Sequence, residues 1–89
     1  MRRRSPEHQA LGVAIREHRE RIGISQEELG YVAHMHRTYV GGLERGERNP
    51  TVAKVFALAA ALGVTASALF ARGESLAAGD GGGPRTGDE

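Results

Sequence analysis

The chain contains no cysteine and no tryptophan, and only two tyrosines and two phenylalanines. Without cysteine it forms neither a disulfide nor a thiolate metal site, and this composition suits a reducing cytoplasm. No apolar run approaches the roughly 18 residues that a membrane-spanning helix needs, and no apolar signal-peptide stretch follows Arg2–Arg4. The 89 residues allow one domain with a modest core, so tight helix packing must supply most of its stability.

Sequence signatures of enzymes are missing as well. The chain has no G-x-S-x-G, no H-E-x-x-H, no phosphate-binding loop and no dinucleotide-binding fingerprint. His34 and His36 lie close together, but without a cysteine or a nearby carboxylate cluster they make a poor zinc signature. We therefore expect no catalytic residue, no metal ion, no cofactor and no small-molecule ligand.

The net charge of +1 conceals an uneven distribution of charge along the chain. Residues 1–6 carry three arginines and no acid, whereas residues 73–89 carry four acids and one arginine. The distribution predicts a basic N-terminal arm at residues 1–5, a folded domain at residues 6–72 and a disordered, glycine-rich acidic tail at residues 73–89. A domain of balanced charge still binds DNA if its cations share one face.

Two short helices separated by a tight turn are predicted at the centre of the chain. Ser25 is a favourable N-cap and Glu28 follows three residues later, which predicts a capping box. One apolar face then consists of Leu29, Val32 and Ala33. A second short helix follows His36 and ends at Gly46. This pattern is typical of a helix-turn-helix, whose second helix can lie in the major groove of DNA.

Longer helices are predicted on both sides of this motif. Ser5-Pro6-Glu7 supplies an N-cap, a first-turn proline and an acid, and Gly23 is a C-terminal cap. Thr51 caps a fourth helix that Gly63 ends, and a short fifth helix covers about Thr65–Phe70. The positions expected to face the core are Leu11, Ile15, His18 and Ile22 in the first helix and Val52, Val55, Phe56, Ala59 and Leu62 in the fourth.

The central segment resembles the helix-turn-helix of the Cro/cI phage-repressor family, also called the xenobiotic-response-element (XRE) type. The residues that carry the resemblance are SQEEL at 25–29, Ala33, HRTYV at 36–40, LERG at 43–46 and RNP at 48–50. The similarity continues through residues 11–25 and 51–70. It implies an all-α fold: a compact, five-helix, lambda-repressor-like domain with the helix-turn-helix at helices 2 and 3, which binds a double-stranded DNA operator as a homodimer.

The resemblance also implies which residues contact DNA. His36, Arg37 and Thr38 begin helix 3, where side chains contact base edges; arginine can pair bidentately with guanine, and threonine can donate, accept or contact a thymine methyl. Gly41 and Gly42 stand where family members often carry base-contacting side chains. The candidate base-contacting residues are thus His36, Arg37, Thr38, Gly41 and Gly42. The candidate phosphate-contacting residues are Gln26, Tyr39, Arg45, Arg48 and Asn49.

Several of these assignments have an alternative. The missing side chains of Gly41 and Gly42 let the backbone approach the bases, or they mean that fewer bases are contacted, or Gly41 merely packs. Arg37 is a base contact, or it is a surface charge, or it contacts phosphate. The Tyr39 hydroxyl either contacts phosphate or belongs to a half-buried side chain.

Four other residues have structural roles that the resemblance implies. Gly30 lies where the two helices of the motif approach closely. Arg19 and Glu44 match positions that form an internal ion pair, which would keep the Glu44 carboxylate away from DNA. His34 occupies a turn position that usually holds a glycine with positive φ, which histidine tolerates at some cost.

Two functions of different classes follow from these features. The first is a cytoplasmic, sequence-specific transcriptional regulator, either a repressor or a controller protein, with no membrane partner. The alternative is an antitoxin-like or accessory protein-interaction module whose DNA binding is weak or lost, as the two adjacent glycines and the near-neutral charge would favour. A dimer interface is expected on helix 5, where Val64, Leu69 and Phe70 offer apolar surface unless Leu69 or Phe70 completes the core.

Overall fold

The computed structural model describes residues 6–79. The helices in this range are α1 Pro6–Ile22, α2 Gln26–Ala33, α3 Arg37–Glu44, α4 Val52–Leu62 and α5 Ala66–Ala77. No strand occurs among residues 6–79, so the all-α, five-helix prediction is confirmed. The predicted basic arm with the N-cap Ser5, and residues 80–89 of the predicted tail, lie outside the described range.

The helix ends are formed by the caps that the sequence predicts. The Ser25 hydroxyl accepts the backbone N–H of Glu28 at 3.0 Å, and the Glu28 carboxylate accepts the backbone N–H of Ser25 at 2.8 Å, which confirms the capping box. Thr51 caps α4 through its hydroxyl, and Gly63 ends that helix with a φ of 75°. His34 has a φ of 61°, so the left-handed turn predicted there is also confirmed.

A single core lies between the five helices. Its largest fully buried side chains are Ile15, Leu29, Val40, Leu43, Leu58 and Leu69. Periodicity correctly predicted burial at Ile15, His18, Leu29, Ala33, Val55, Ala59 and Leu62. Leu58 was not in the predicted set, although its side chain is completely inaccessible to solvent.

Four residues predicted to face the core are instead exposed: Ile22, Val32, Val52 and Phe56. Ile22 is the last residue of α1 and Val52 is the first of α4, so both extend past a core that is shorter than the helices. Val32 and Phe56 each adjoin a buried residue, and a rotation of about 100° per residue turns them to the side of the helix. These predictions were wrong because an apolar pattern indicates which face of a helix is buried, but not where along or around the helix the core ends.

The predicted end of helix 5 near Phe70 is also wrong. The helix α5 continues to Ala77 and crosses the predicted domain boundary after residue 72, so residues 73–77 are helical rather than part of a disordered tail. Leu69 is fully buried, so it completes the core and does not contribute to an exposed dimer surface.

Contacts with α1 explain why α5 continues. Gly73 is buried against Leu11 of α1. Arg72 donates two hydrogen bonds to the Glu17 carboxylate, from Nε to Oε1 at 2.8 Å and from Nη2 to Oε2 at 3.1 Å. The hydrogen bond from Arg72 also lowers the pKa of Glu17. The segment after Arg72 is poor in apolar residues, so its helix depends on a partner that lies far away in the chain.

Candidate nucleic-acid interface

The turn between α2 and α3 is closed by backbone contacts. His34 takes the left-handed conformation, and the backbone N–H of Met35 then donates to the Gly30 carbonyl at 2.7 Å. A Cβ atom at Gly30 would collide with the Met35 carbonyl oxygen. The predicted need for a small residue at this position is confirmed, and the close neighbour is the turn that leads into α3.

A buried ion pair fixes the C-terminal end of α3. The Glu44 side chain is 3% exposed and that of Arg19 is 12% exposed. Arg19 donates from Nε to Oε2 at 2.6 Å and from Nη2 to Oε1 at 3.0 Å, which confirms the predicted internal pair. Hydrogen bonding to Glu44 raises the pKa of Arg19. The Glu44 carboxylate is therefore held inside the domain, where it does not repel phosphate.

Gln26 joins the same network from the start of α2. Its Nε2 donates to Oε1 of Glu44 at 3.0 Å, and the remaining guanidinium nitrogen of Arg19 donates to the Ile24 carbonyl at 2.9 Å. The ion pair thus connects α1, the loop before α2 and the first residue of α2 to α3. One hydrogen of the Gln26 amide is used here, and its second hydrogen and the N-terminal N–H groups of α2 have the chemistry of a phosphate contact.

Gly12 is a positioning residue that the sequence analysis missed. A Cβ atom at Gly12 would lie 2.8 Å from the Glu44 carbonyl oxygen and would also collide with the carbonyl oxygen of Leu43. The α1 backbone therefore touches the last turn of α3 directly. The signal in the sequence was a glycine in the middle of a helix, where alanine is preferred by ~1 kcal/mol.

We expect Gly12→Ala to lower the free energy of unfolding by about 1–3 kcal/mol, because its methyl group must push two helix backbones apart. Gly73→Ala is the matched control, since it is another buried helical glycine whose added Cβ would lie 3.4 Å from Leu11 Cα, at ordinary contact distance. The control should lose no stability, because alanine favours the helix by ~1 kcal/mol. Urea denaturation of both variants checks this; equal losses would contradict a specific α1–α3 contact.

The first turn of α3 presents two exposed side chains, Arg37 and Thr38. His36 is the N-cap rather than the first helical residue, and its Nδ1 accepts the backbone N–H of Thr38 at 3.0 Å. A neutral imidazole that accepts at Nδ1 carries its proton on Nε2, so His36 has one donor for a ligand. The Arg37 side chain is 65% exposed and lies 3.8 Å from the Glu27 carboxylate, an exposed pair that costs little to break.

A second group of candidate residues forms a cationic cluster around Tyr39. Tyr39 is half-buried, and the guanidinium carbon of Arg48 lies 5.8 Å from the centre of its ring. Lys54 Nζ lies 5.4 Å from the same centre. We call these three residues the Tyr39 cluster. Two cations beside a tyrosine ring suit a phosphate group.

Asn49 is not part of the Tyr39 cluster. It lines a groove of about 710 Å³ between the start of α1, the start of α4 and the second half of α5, together with Val52 and Phe70. Its assignment as a phosphate contact stays a prediction.

The atoms nearest to the two glycines of α3 belong to side chains. A Cβ atom at Gly41 would lie 3.1 Å from Arg45 Nη1 and 3.3 Å from Gln26 Oε1. One at Gly42 would lie 2.8 Å from Arg48 Cγ. Both glycines are thus buried beneath long side chains that are themselves candidate DNA contacts.

Metal-binding and membrane-spanning features are not found in the described part of the chain. No group of three or more histidine, aspartate or glutamate side chains there could hold a metal ion. Within residues 6–79 no single helix is long and apolar enough to cross a membrane; α4 and α5 meet that criterion only together, with a bend of 102° between them.

The chain is similar in sequence to a known protein family and to a control protein. The helix-turn-helix family model matches residues 15–69. The control protein C.SmaI from Serratia marcescens is 39% identical over 62 residues, which cover 70% of this chain and 74% of that protein.

Two solved structures are similar to this chain over about two thirds or more of its length. The restriction-modification controller protein C.AhdI from Aeromonas hydrophila matches with a TM-score of 0.68 and 39% identity, covering 68% of this chain and 92% of that one. The controller protein C.Esp1396I, a tetramer in complex with its natural 35 base-pair operator, matches with a TM-score of 0.73 and 26% identity, covering 81% of this chain and 95% of that one.

Proposed function

This chain belongs to the XRE-type helix-turn-helix family of DNA-binding regulators, and we propose that it controls transcription of restriction–modification genes by binding their operator. The observation that carries this proposal is the first turn of α3, where Arg37 and Thr38 are exposed beside the Tyr39 cluster. The buried Arg19–Glu44 pair holds that helix on the domain. A rigid helix with exposed hydrogen-bonding side chains and flanking cations suits insertion into the major groove.

The relatives support a regulatory role, and in particular the role of a controller protein. C.SmaI is a control protein, C.AhdI is a restriction-modification controller, and C.Esp1396I binds its own operator. We propose that this chain likewise acts on double-stranded DNA in the cytoplasm and catalyses no reaction. His36, Arg37 and Thr38 then contact base edges, whereas Gln26 and the Tyr39 cluster contact phosphates.

The DNA-bound form is proposed to be a homodimer. A recognition helix of eight residues contacts only a few base pairs, which gives little discrimination within a genome. Two copies related by a two-fold axis would contact half-sites about 34–36 Å apart, which is one turn of DNA. With Leu69 in the core, the apolar surface left for the interface on this side is formed by Val64 and Phe70, and Phe70 also lines the groove beside Val52.

The experiment that tests the proposed function starts with selection of bound fragments from random duplex DNA. Affinities for the selected site and for a scrambled duplex are then measured across a range of salt concentrations. Affinity should fall as salt rises, because each neutralised phosphate releases counterions. An affinity that is equal for both duplexes, or absent, would contradict the proposal and support the protein-interaction alternative.

Arg48→Ala should weaken binding to every duplex by a similar factor. It should also reduce the slope of log affinity against log salt by about 0.9, the value for one phosphate contact on duplex DNA. Arg16→Gln is the control, because this substitution also removes one positive charge. Arg16 is an exposed residue of α1 and is paired with Glu20. A slope that is unchanged in Arg48→Ala would remove Arg48 from the phosphate-contacting set.

A further inference from the structure

Three positions spaced four residues apart, two in α3 and one at its C-cap, form a stripe along one side of the helix: Arg37, Gly41 and Arg45. Arg45 follows the last helical residue with φ −87° and ψ −2°, so it continues the helical path. Val40 and Leu43 face the core, whereas Arg37 and the neighbouring Thr38 at one end of the stripe, and Arg45 at the other, are exposed. The stripe therefore belongs to the surface that would face the base pairs.

The side chain of Arg45 lies along this stripe in the space that Gly41 leaves empty. Side chains on a helix lean toward its N-terminus, and Arg45 Nη1 lies 3.1 Å from where a Cβ atom of Gly41 would stand. Gln26 Oε1 borders the same space from the other side, at 3.3 Å. A larger side chain at position 41 would displace the guanidinium.

Glu47 makes Arg45 poorly suited to a phosphate contact. Its Oε2 lies 3.1 Å from Arg45 Nε, so a carboxylate stands beside the guanidinium and opposes an approaching phosphate. The neutral acceptors on a base edge meet less repulsion, and Nη1 of Arg45 lies on the side toward Gly41. Arg48, in contrast, lies beside Tyr39 and shares that ring with Lys54.

We propose that Arg45 contacts a base edge in the major groove, through the space provided by Gly41, and so determines part of the operator sequence. Its acceptors would be O6 and N7 of a guanine, which arginine contacts bidentately. This assignment replaces the phosphate contact that the family resemblance implied for Arg45. It rests on the proposed function, and it gives the first of the two adjacent glycines a role in base recognition.

The test measures discrimination at single base pairs. The wild-type protein is titrated against its selected duplex and against every single base-pair variant of one half-site. Arg45→Ala should lose roughly 5- to 150-fold discrimination at one guanine-containing base pair, the range expected for a bidentate arginine–guanine contact. That base pair should differ from the one affected by Arg37→Ala. Arg48→Ala is the control and should lower all affinities alike.

A larger side chain at position 41 fills the space that Gly41 leaves, and so tests the proposal without removing Arg45. Gly41→Leu should lose discrimination at the same base pair as Arg45→Ala. The double variant should lose no further discrimination at that base pair. A melting curve shows whether Gly41→Leu is folded; if it is not, Gly41→Ala is used, whose smaller side chain meets only the ends of flexible side chains. Either Gly41 variant should lose discrimination at that base pair and retain its affinity for scrambled duplex.

Two results would overturn the proposal. Arg45→Ala could lower the affinity for all variants by one common factor, which would make Arg45 a phosphate contact. A folded Gly41 variant could instead keep full discrimination at the position that Arg45→Ala relaxes. Both results leave sequence preference in the wild type and so differ from failure of the proposed function, in which the wild type itself prefers no sequence.

Discussion

Glu44→Ala is expected to lower the free energy of unfolding by about 3–5 kcal/mol, because it leaves the Arg19 guanidinium largely buried without its carboxylate. A folded domain has a total stability of roughly 5–15 kcal/mol, so the expected loss is a large fraction of the total and should lower the melting temperature markedly. It also removes the acceptor of the Gln26 amide. Thermal and urea denaturation provide the measurement.

A double-mutant cycle separates the ion pair from other effects of the substitution. The variant lacking both Arg19 and Glu44 side chains should be less destabilised than the sum of the two single variants, because neither charge is then buried alone. Arg16→Gln, which removes a partner from the exposed pair with Glu20, should change stability by no more than about 0.5 kcal/mol. Strictly additive losses in the Arg19–Glu44 cycle would contradict the coupling.

Arg37→Ala is expected to change which DNA is bound rather than whether the protein folds. The variant should lose about 1–3 kcal/mol of binding free energy on the selected site, the contribution of a bidentate arginine–guanine pair. Its affinity for scrambled duplex should remain largely intact. Unfolding should stay within about 0.5 kcal/mol of wild type, since the side chain is 65% exposed and pairs only loosely with Glu27.

Arg37→Lys is the matched control for charge. Lysine keeps the positive charge but lacks the planar fork of nitrogens, so it should lose discrimination almost as alanine does while retaining more affinity for scrambled duplex. Both variants are titrated at fixed salt alongside a melting curve. Equal losses on selected and scrambled duplexes would make Arg37 a phosphate contact, and a large fall in melting temperature would show that the side chain is structural.

Local signals in the sequence predicted the helix ends. The capping box at Ser25 and the stop at Gly63 each depend on one residue and its near neighbours, so the sequence contains all the information needed. The left-handed turn at His34 was predicted from the family resemblance. The Arg19–Glu44 pair was predicted from the family resemblance, and the structure adds that Gln26 belongs to the same network.

Features that depend on distant contacts could not be predicted from local pattern. The extension of α5 to Ala77 requires Gly73 to pack on α1 and Arg72 to reach Glu17. Gly12 looked like an ordinary helical glycine because the carbonyl groups that touch it belong to α3. The path of the Arg45 side chain over Gly41 likewise appears only once the helix is placed in three dimensions.

The division of α3 into a buried and an exposed set of residues has an evolutionary consequence. Glu44, Val40 and Leu43 hold the helix in place, while Arg37 and Thr38 are exposed and lie outside the core. Substitutions in the exposed set can therefore accumulate without compensating changes inside the domain. Descendants of one ancestral regulator can diverge toward different operators, and cease to regulate one another's genes, while retaining the same scaffold and similar thermal stability.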